Sequence, residues 1–306
     1  NANAVKELVI CALLLASRKV VQGANWVKGL KGTPDIGPAA EKGKSTYAGP
    51  EIAGKKLGII GLGAIGVKVA NAAVGLDMEV WGYDPYLSVD GALKLDRSVK
   101  HVTELDEIFA NCDYITIHVP YTNDTKDFIN AEAISKMKGQ VRVLNLARGG
   151  LVNDDDMIAA LESGRVAKYV TDFPNDKIAL VHNVIALPHL GASTPESEEN
   201  CARMAADQLK DYLINGNIKN SVNLPNVHQD WSGISRVCLI HKNIPAMLTK
   251  ITTILSDEGV NVENLTNKSK KDYAYTMVDL NGRIKDAVAD ELRAIPGMIR
   301  VRVINH

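Results

Sequence analysis

The sequence predicts an α/β protein in which a doubly wound parallel sheet is followed by a small α+β module. Short apolar strands alternate with helices from residue 56 to about residue 194, the pattern of a parallel sheet covered on both faces. A segment dense in Asn, Gly and Pro then occupies residues 214–234, and a β-α-β-β-α-β pattern follows it. With 306 residues, the chain is long enough for two or three domains.

The first part of the chain opens with a helix, because apolar residues lie nearly all round residues 1–20, as in a buried helix. Residues 23–55 are rich in Gly, Lys and Pro and predict an irregular connection. The predicted strands of the sheet are 57–60, 78–84, 113–118, 141–146 and 166–171. Thr103 and Asn153 precede acidic residues and predict helix N-caps, and Thr194-Pro195 opens a long helix to about Leu213.

The last part of the chain predicts a ferredoxin-like fold of about 70 residues. Its predicted elements are strand 236–240, helix 245–258, strands 260–267 and 273–279, helix 284–294 and strand 298–304. The expected organisation is a linking helix (1–22), an α/β domain (23–193), a return helix (194–224), a linker (225–234) and the small domain (235–306).

Composition excludes several function classes. The 35 basic and 36 acidic residues give a net charge of −1, which disfavours nucleic-acid binding. The longest apolar run, residues 8–16, is shorter than the roughly 20 residues that span a bilayer, so no membrane partner is expected. The four cysteines form no CxxC pair, which disfavours a metal site or a disulfide framework and favours a reducing cytoplasm.

The strongest motif is Gly61-Leu62-Gly63-Ala64-Ile65-Gly66, placed where a predicted strand passes into a helix. Gly61 permits a tight turn, Gly63 lets a pyrophosphate approach the backbone, and Gly66 lets the helix pack closely on the strand. Asp84 ends the next strand, where its carboxylate can accept hydrogen bonds from ribose hydroxyls and would repel a 2′-phosphate. The motif therefore predicts an NAD site in preference to an NADP site.

Three polar residues in apolar surroundings are candidates for catalysis. Arg148 follows a strand and can hold a carboxylate bidentately. His189 can take a hydroxyl proton, and Asp176 offers a carboxylate that could orient that histidine. Taken singly, each is more commonly a solvated or structural residue, and Asp176 lies in a Pro-Asn-Asp turn where aspartate is frequent. They point to catalysis only as a set beside the cofactor motif.

Together these motifs resemble the D-isomer-specific 2-hydroxyacid dehydrogenases. The residues that carry the resemblance, from the first helix to about residue 224, are the glycine motif, Asp84, His118-Val119-Pro120, Ala147-Arg148-Gly149-Gly150-Leu151-Val152 and Pro188-His189-Leu190-Gly191-Ala192-Ser193-Thr194. The resemblance implies that His189 is the general acid/base, that Arg148 binds the substrate carboxylate, and that Asp176 supports His189. It places NAD against Gly61, Gly63, Ala64, Ile65, Gly66, Asp84, His118, Pro120, Ala147, Arg148, Asp172 and His189.

Asp172 resembles the family's aspartate near the nicotinamide amide. The sequence departs from the family pattern in two ways. The first is Asp176, which stands where the family has Glu, a side chain one methylene longer. In the family, most of a substrate domain precedes the first helix, and that part is absent here. The segments that would clamp the substrate phosphate are therefore not identified in the sequence.

The C-terminal module resembles an ACT domain, an amino-acid-binding regulatory unit. The resemblance implies that His241, Asn243 and Asn261 contact a serine effector, while Ala246 stands where glycine is usual. The alternative is a module that only dimerises through its edge strands and apolar helix face. Together, the two resemblances imply oxidation of 3-phosphoglycerate, the first step of serine biosynthesis, by a homodimer or homotetramer that L-serine regulates.

Two other functions stay open from the sequence. Another 2-hydroxyacid dehydrogenase, such as a hydroxypyruvate or glyoxylate reductase, would share the same motifs, although the ACT-like tail argues against it. A non-catalytic NAD-binding regulatory module would share the fold, although the pair Arg148 and His189 argues against that alternative.

Overall fold

The computed structural model describes residues 1–305, which form two compact units. The first unit comprises Asn1–Asn200, and the second begins at Cys201. Among the described residues, no helix has the length and apolar character needed to cross a bilayer.

A seven-stranded parallel sheet organises the first unit. Its strands are β1 (Lys56–Ile60), β2 (Glu79–Tyr83), β3 (Lys100–Val102), β4 (Tyr114–Ile117), β5 (Val141–Asn145), β6 (Val166–Thr171) and β7 (Val184–Ala186). They lie in the order β3-β2-β1-β4-β5-β6-β7, and every neighbouring pair is parallel. The winding direction therefore reverses between β1 and β4, and the predicted doubly wound parallel sheet is confirmed.

Helices from two core clusters cover the two faces of this sheet. The helices of the chain up to residue 215 are α1 (Ala2–Ser17), α2 (Val20–Gly29), α3 (Ile36–Gly43), the 3-10 helix η1 (Lys44–Tyr47), α4 (Ala64–Val74), α5 (Val89–Lys94), α6 (Leu105–Asn111), α7 (Ala131–Lys136), α8 (Asp154–Glu162) and α9 (Pro195–Asn215). One core cluster joins α1 and α4 to the sheet, and its members include Val9 and Val69. The other joins α6, α7 and α8 to the opposite face through residues such as Ile108, Ile134 and Met157.

Three local predictions need correction. The first helix is buried on one face only, since Val9 and Leu13 are 0% exposed whereas Leu14 is 43% exposed. Residues 23–55 are not wholly irregular: they include most of α2 together with α3 and η1. Thr103 is not the cap of α6, whose N-cap position is Glu104.

The described part of the second unit contains a four-stranded antiparallel sheet with two helices. Its elements are β8 (Ser235–Lys242), α10 (Met247–Asp257), β9 (Val262–Lys270), β10 (Tyr273–Leu280), α11 (Asp286–Ala294) and β11 (Met298–Asn305). The strand order is β11-β8-β10-β9, so the predicted β-α-β-β-α-β sequence of elements is present. Helix α10 starts at Met247 rather than at residue 245, because Ala246 adopts a left-handed conformation with φ +65°.

The segment between α9 and β8, expected as a linker, is packed into the second unit. Ile218 and Val227 form a β-bridge and are both buried. The fully buried Arg236 donates hydrogen bonds to the carbonyl oxygens of Asn215 (2.7 Å) and Asp230 (3.0 Å). This segment connects the long helix to β8, and its backbone is fixed against the sheet.

Candidate active site

The glycine motif lies at the carboxyl end of β1, where the winding of the sheet reverses. Gly61 has φ +97°, and a Cβ there would lie 2.7 Å from the carbonyl oxygen of His118. A Cβ on Gly66 would lie 2.0 Å from the carbonyl oxygen of Gly61. A Cβ on Gly63 would meet nothing within 4 Å, so the loop has one open side at the start of α4. These features fit a loop that admits a pyrophosphate to the N-terminus of a helix.

Asp84 follows β2 directly and is fixed beside the glycine motif. Its Oδ2 accepts a hydrogen bond from the backbone N–H of Leu62 (2.8 Å), and its Oδ1 accepts one from the N–H of Tyr86 (2.8 Å). Each carboxylate oxygen has a second lone pair available for a ribose hydroxyl. Asp84 thus also holds the glycine loop, a role that the spacing alone does not reveal.

A cavity of about 490 Å³ opens at the same carboxyl edge of the sheet. It is lined by Asn1, Val5, Ile65, His118, Val119, Pro120, Tyr121, Leu146, Ala147, Arg148, His189, Gly191 and Ala192. The structure therefore brings six of the sequence-predicted residues to one cavity: Ile65, His118, Pro120, Ala147, Arg148 and His189.

His189 lies in the loop between β7 and α9 and is exposed. Its ring packs against Phe173, with the ring centroids 4.6 Å apart and the planes tilted by 44°. Thr194, at the end of this loop, accepts a hydrogen bond from the N–H of Ser197 (3.1 Å) and so fixes the start of α9. The imidazole therefore packs against Phe173 and lines the cavity.

Arg148 lies in the turn after β5, and the side chain of Asn145 shapes that turn. Asn145 is 1% exposed. Its Nδ2 donates to the carbonyl oxygen of Arg148 (2.9 Å), and its Oδ1 accepts from the N–H groups of Ala147 (3.2 Å) and Arg148 (3.4 Å). Sequence reasoning missed Asn145, although a single amide at the end of an apolar strand is the same kind of signal that indicated Arg148.

His118 contributes a buried polar atom without a partner. Its Nε2 is 3.1 Å from Oγ1 of Thr116, whereas its Nδ1 is buried and has no hydrogen-bond partner. Burial lowers the pKa of His118 to about 4, so the ring is neutral at neutral pH. His118 thus lines the cavity as a neutral ring with one unpaired nitrogen.

Asp172 is fully buried just after β6, and neither carboxylate oxygen has a hydrogen-bond partner of good geometry. Burial raises the pKa of Asp172, an effect that the positive charges of His189 and Arg148 and nearby backbone N–H groups only partly oppose. A Cβ on Gly191 would lie 3.3 Å from Asp172 Oδ2, so this glycine lets the loop of His189 approach the carboxylate.

Asp176, by contrast, does not line the cavity that His189 and Arg148 share. Its side chain is exposed. Asn175 caps this turn by accepting hydrogen bonds from the N–H groups of Lys177 (3.0 Å) and Ile178 (3.1 Å). This turn leaves Asp176 in solvent, and the geometry gives it no contact through which it could orient the imidazole.

The three predicted effector residues are not brought together within one chain. His241 is 2% exposed, and its Nε2 is 2.8 Å from Oγ1 of Thr276. Asn243, just after β8, donates to the carbonyl oxygen of Lys271 (3.2 Å). Asn261 lies just before β9, at the opposite end of the sheet, because β10 pairs Ala274 with His241 but Leu280 with Val262.

Comparisons with known proteins identify the family to which the chain is similar. Residues 10–191 match the family described as D-isomer specific 2-hydroxyacid dehydrogenase, NAD binding domain. D-3-phosphoglycerate dehydrogenase of Haemophilus influenzae is 31% identical over 319 residues, which cover 99% of this chain and 73% of the relative.

Two solved structures are similar over a smaller share of the chain. D-lactate dehydrogenase from Aquifex aeolicus, complexed with NAD and lactic acid, is 28% identical with a TM-score of 0.58, over 70% of this chain and 67% of its own. A glyoxylate reductase from Paecilomyes thermophila is 26% identical with a TM-score of 0.60, over 72% and 65% of the two chains.

Proposed function

The chain belongs to the D-isomer specific 2-hydroxyacid dehydrogenase family, and we propose that within this family it acts as a D-3-phosphoglycerate dehydrogenase. The reaction is the NAD-dependent oxidation of 3-phosphoglycerate to 3-phosphohydroxypyruvate, the first step of serine biosynthesis, in the cytoplasm. The observation that carries the proposal is that Arg148 and His189 line one cavity beside the glycine motif. The 31% identity to a relative of that name supports this choice of substrate within the family.

The cofactor site has the residues that NAD requires. The glycine loop would hold the pyrophosphate, and Asp84 would hold the adenosine ribose. The carboxylate of Asp84, with no basic residue in Pro85-Tyr86-Leu87, favours NAD over NADP. The nicotinamide side would meet Ile65, His118, Pro120, Ala147, Arg148, Asp172 and His189. When bound, NAD supplies the hydride acceptor for the alcohol carbon of the substrate.

His189 accepts the proton of the substrate C2 hydroxyl at one of its ring nitrogens. Imidazole suits this task because its charge changes near neutral pH. The proton must be removed as C2 becomes a carbonyl carbon, so the proton acceptor has to lie on the cavity wall, as His189 does.

Arg148 binds the substrate carboxylate through the paired N–H donors of its guanidinium, which fixes C2 in front of His189. Asn145 acts as a positioning residue, because its amide holds the turn that presents Arg148. Asp172 is the buried carboxylate that interacts electrostatically with both His189 and Arg148. The role predicted for Asp176 has no contact to support it, and we assign that role to Asp172.

We further propose that the second unit is an ACT domain that binds L-serine between two copies of the chain. A site built from one copy's His241 and Asn243 and a second copy's Asn261 would unite residues that lie at opposite ends of one sheet. Such a site requires a homodimer or homotetramer. A module that only dimerises is the alternative, and it predicts that serine leaves the activity unchanged.

Two other functions have an observation in their favour. The likeness to a glyoxylate reductase favours oxidation or reduction of a smaller 2-hydroxy acid. The exposed position of Asp176 favours a non-catalytic NAD-binding module, since the carboxylate predicted to support His189 does not line the same cavity.

The test is NADH production by the complete protein with 3-phosphoglycerate, D-lactate and D-glycerate, with and without L-serine. We expect 3-phosphoglycerate to have the highest kcat/KM and His189→Asn to lower kcat by about 100-fold or more. His182→Asn changes an exposed histidine outside the cavity and is the matched control. A preference for D-glycerate would overturn the substrate, and retained turnover in His189→Asn would overturn the mechanism.

A further inference from the structure

A second pocket, of about 130 Å³, lies at the opposite edge of the sheet from the candidate active site. Four of its lining residues are basic, and we call it the cationic pocket: Arg18, Lys19, Arg142 and Lys168. Arg142 is near the amino end of β5, and Lys168 is near the amino end of β6. The carboxyl ends of the same two strands lead to Arg148 and Asp172, so one sheet separates the two sites.

No acidic side chain compensates these charges. The pocket lining contains no Asp or Glu, and within residues 1–305 none of the four basic residues forms an ion pair. Their partners are neutral: Lys168 donates to Oδ1 of Asn183 (2.6 Å), and Lys19 donates to the carbonyl oxygen of Thr46 (3.1 Å). Each ammonium group has two further N–H donors to offer a ligand.

The wall of the pocket is fixed by packing. The guanidinium of Arg142 lies over the ring of Tyr114, 5.2 Å from its centroid, and its Nε donates to the carbonyl oxygen of Ala16 (3.1 Å). Its two Nη groups form no hydrogen bond within the described part of the chain. A Cβ on Gly49 would lie 2.1 Å from the carbonyl oxygen of Ser17, so the loop that forms the other side is pressed against the end of α1.

The charges in the pocket oppose one another. Burial lowers the pKa of Lys168, and the positive charges of Lys19 and Arg142 lower it further. The carbonyl groups at the C-terminus of α1 oppose this repulsion, but their partial charge of roughly half an electron is small beside several full charges. A bound anion would remove the repulsion and use the free N–H donors.

We propose that the cationic pocket binds the phosphate group of a small phosphate ester or of inorganic phosphate. Arg142 presents two planar N–H groups suited to two phosphate oxygens, and the lysines act as point charges. The volume suits one such group rather than a nucleotide, whose pockets exceed about 300 Å³. This inference is independent of the substrate proposed above.

The experiment is a calorimetric titration of the complete protein with inorganic phosphate at constant ionic strength, chloride replacing phosphate in the reference. We expect saturable binding of the wild type and at least tenfold weaker binding of the double variant Lys19→Gln/Lys168→Gln. Lys42→Gln/Lys94→Gln removes two exposed lysines of the same unit and should bind as the wild type does. Phenyl phosphate in place of inorganic phosphate shows which of the two sources binds more tightly.

Thermal unfolding keeps the test independent of folding defects. Without phosphate, the Lys19→Gln/Lys168→Gln variant should unfold at the wild-type temperature or above, since it loses repulsion. Phosphate should raise the unfolding temperature of the wild type and not that of the variant. Equal binding by both proteins, or loss of binding in Arg148→Gln, would overturn the proposal, the latter by placing the anion in the active-site cavity.

Discussion

Two buried aspartates, one in each unit, have pKa values that are shifted in opposite directions. Asp172 and Asp279 are both 0% exposed. Burial raises the pKa of Asp172, and its neighbours do not compensate. Burial also acts on Asp279, but hydrogen bonds from Arg236 and other neighbours outweigh it, and the pKa of Asp279 is lowered.

The contacts explain the difference. Asp279 accepts two hydrogen bonds from Arg236, from Nε (2.5 Å) and Nη2 (2.7 Å), and two more from the N–H and hydroxyl of Ser232. A buried carboxylate that is paired with an arginine has a structural role, because breaking the pair destabilises the fold. A buried carboxylate without a partner and with a raised pKa is typical of a functional site. We therefore interpret Asp279 as structural and Asp172 as part of the site.

The largest effect should follow from breaking the pair in the second unit. Arg236→Met leaves Asp279 buried and unpaired, and should lower the free energy of unfolding by about 3–5 kcal/mol. Urea unfolding of the complete protein measures this change. Arg293→Gln removes an exposed arginine paired with Asp290 and should change it by less than about 1 kcal/mol. Equal effects of the two variants would show that the buried pair has no structural role.

A smaller effect should follow at the turn of Arg148. Asn145→Ala leaves two backbone N–H groups and one carbonyl without their partner, at a cost of about 1–3 kcal/mol in the free energy of unfolding. Because Arg148 binds the carboxylate, KM for the hydroxy acid should rise more than kcat falls. Asn71→Ala removes a comparable cap at the surface and should leave KM unchanged. An unchanged KM in Asn145→Ala would show that the amide of Asn145 does not position Arg148 for substrate binding.

The smallest effect is the pH dependence of stability. The folded-state pKa of Asp279 is lowered, so the stabilisation that its carboxylate gives is present above pH 3.8 and is lost as the pH falls through the folded value. The folded-state pKa of Asp172 is raised, so its cost is present at neutral pH and vanishes as the pH falls towards 3.8. Asp172→Asn should therefore be at least as stable as the wild type at neutral pH and lose that advantage in acid. Urea unfolding across this range would contradict the assignment if the advantage grew in acid.

The sequence predicts the parts of the site that depend on local backbone geometry. Gly61 and Gly66 are predictable because only a residue without Cβ fits a turn and a close approach. Arg148 and His189 are predictable as polar residues that follow strands of a parallel sheet. The position of the Asp176 side chain is not predictable in this way, because it depends on the conformation of the turn that Asn175 caps.

Other features depend on burial and on residues far apart in the chain. Sequence patterns cannot show that Asp172 is buried without a partner, or that Arg18 and Lys168 share a pocket. Residues 23–55 are glycine-rich and indicate a loop, yet Trp26 stacks on Tyr47 with ring centroids 5.2 Å apart, and helices form around that contact.

The most direct test compares kcat/KM of Asp172→Asn and Asp176→Asn in the complete protein. If the unpaired buried carboxylate serves His189, Asp172→Asn should lower kcat/KM by about tenfold or more, equivalent to about 1.4 kcal/mol in the barrier. Asp176→Asn should change it by less than about twofold, because an exposed charge is screened by water and salt. The reverse order of the two effects would contradict the site described above.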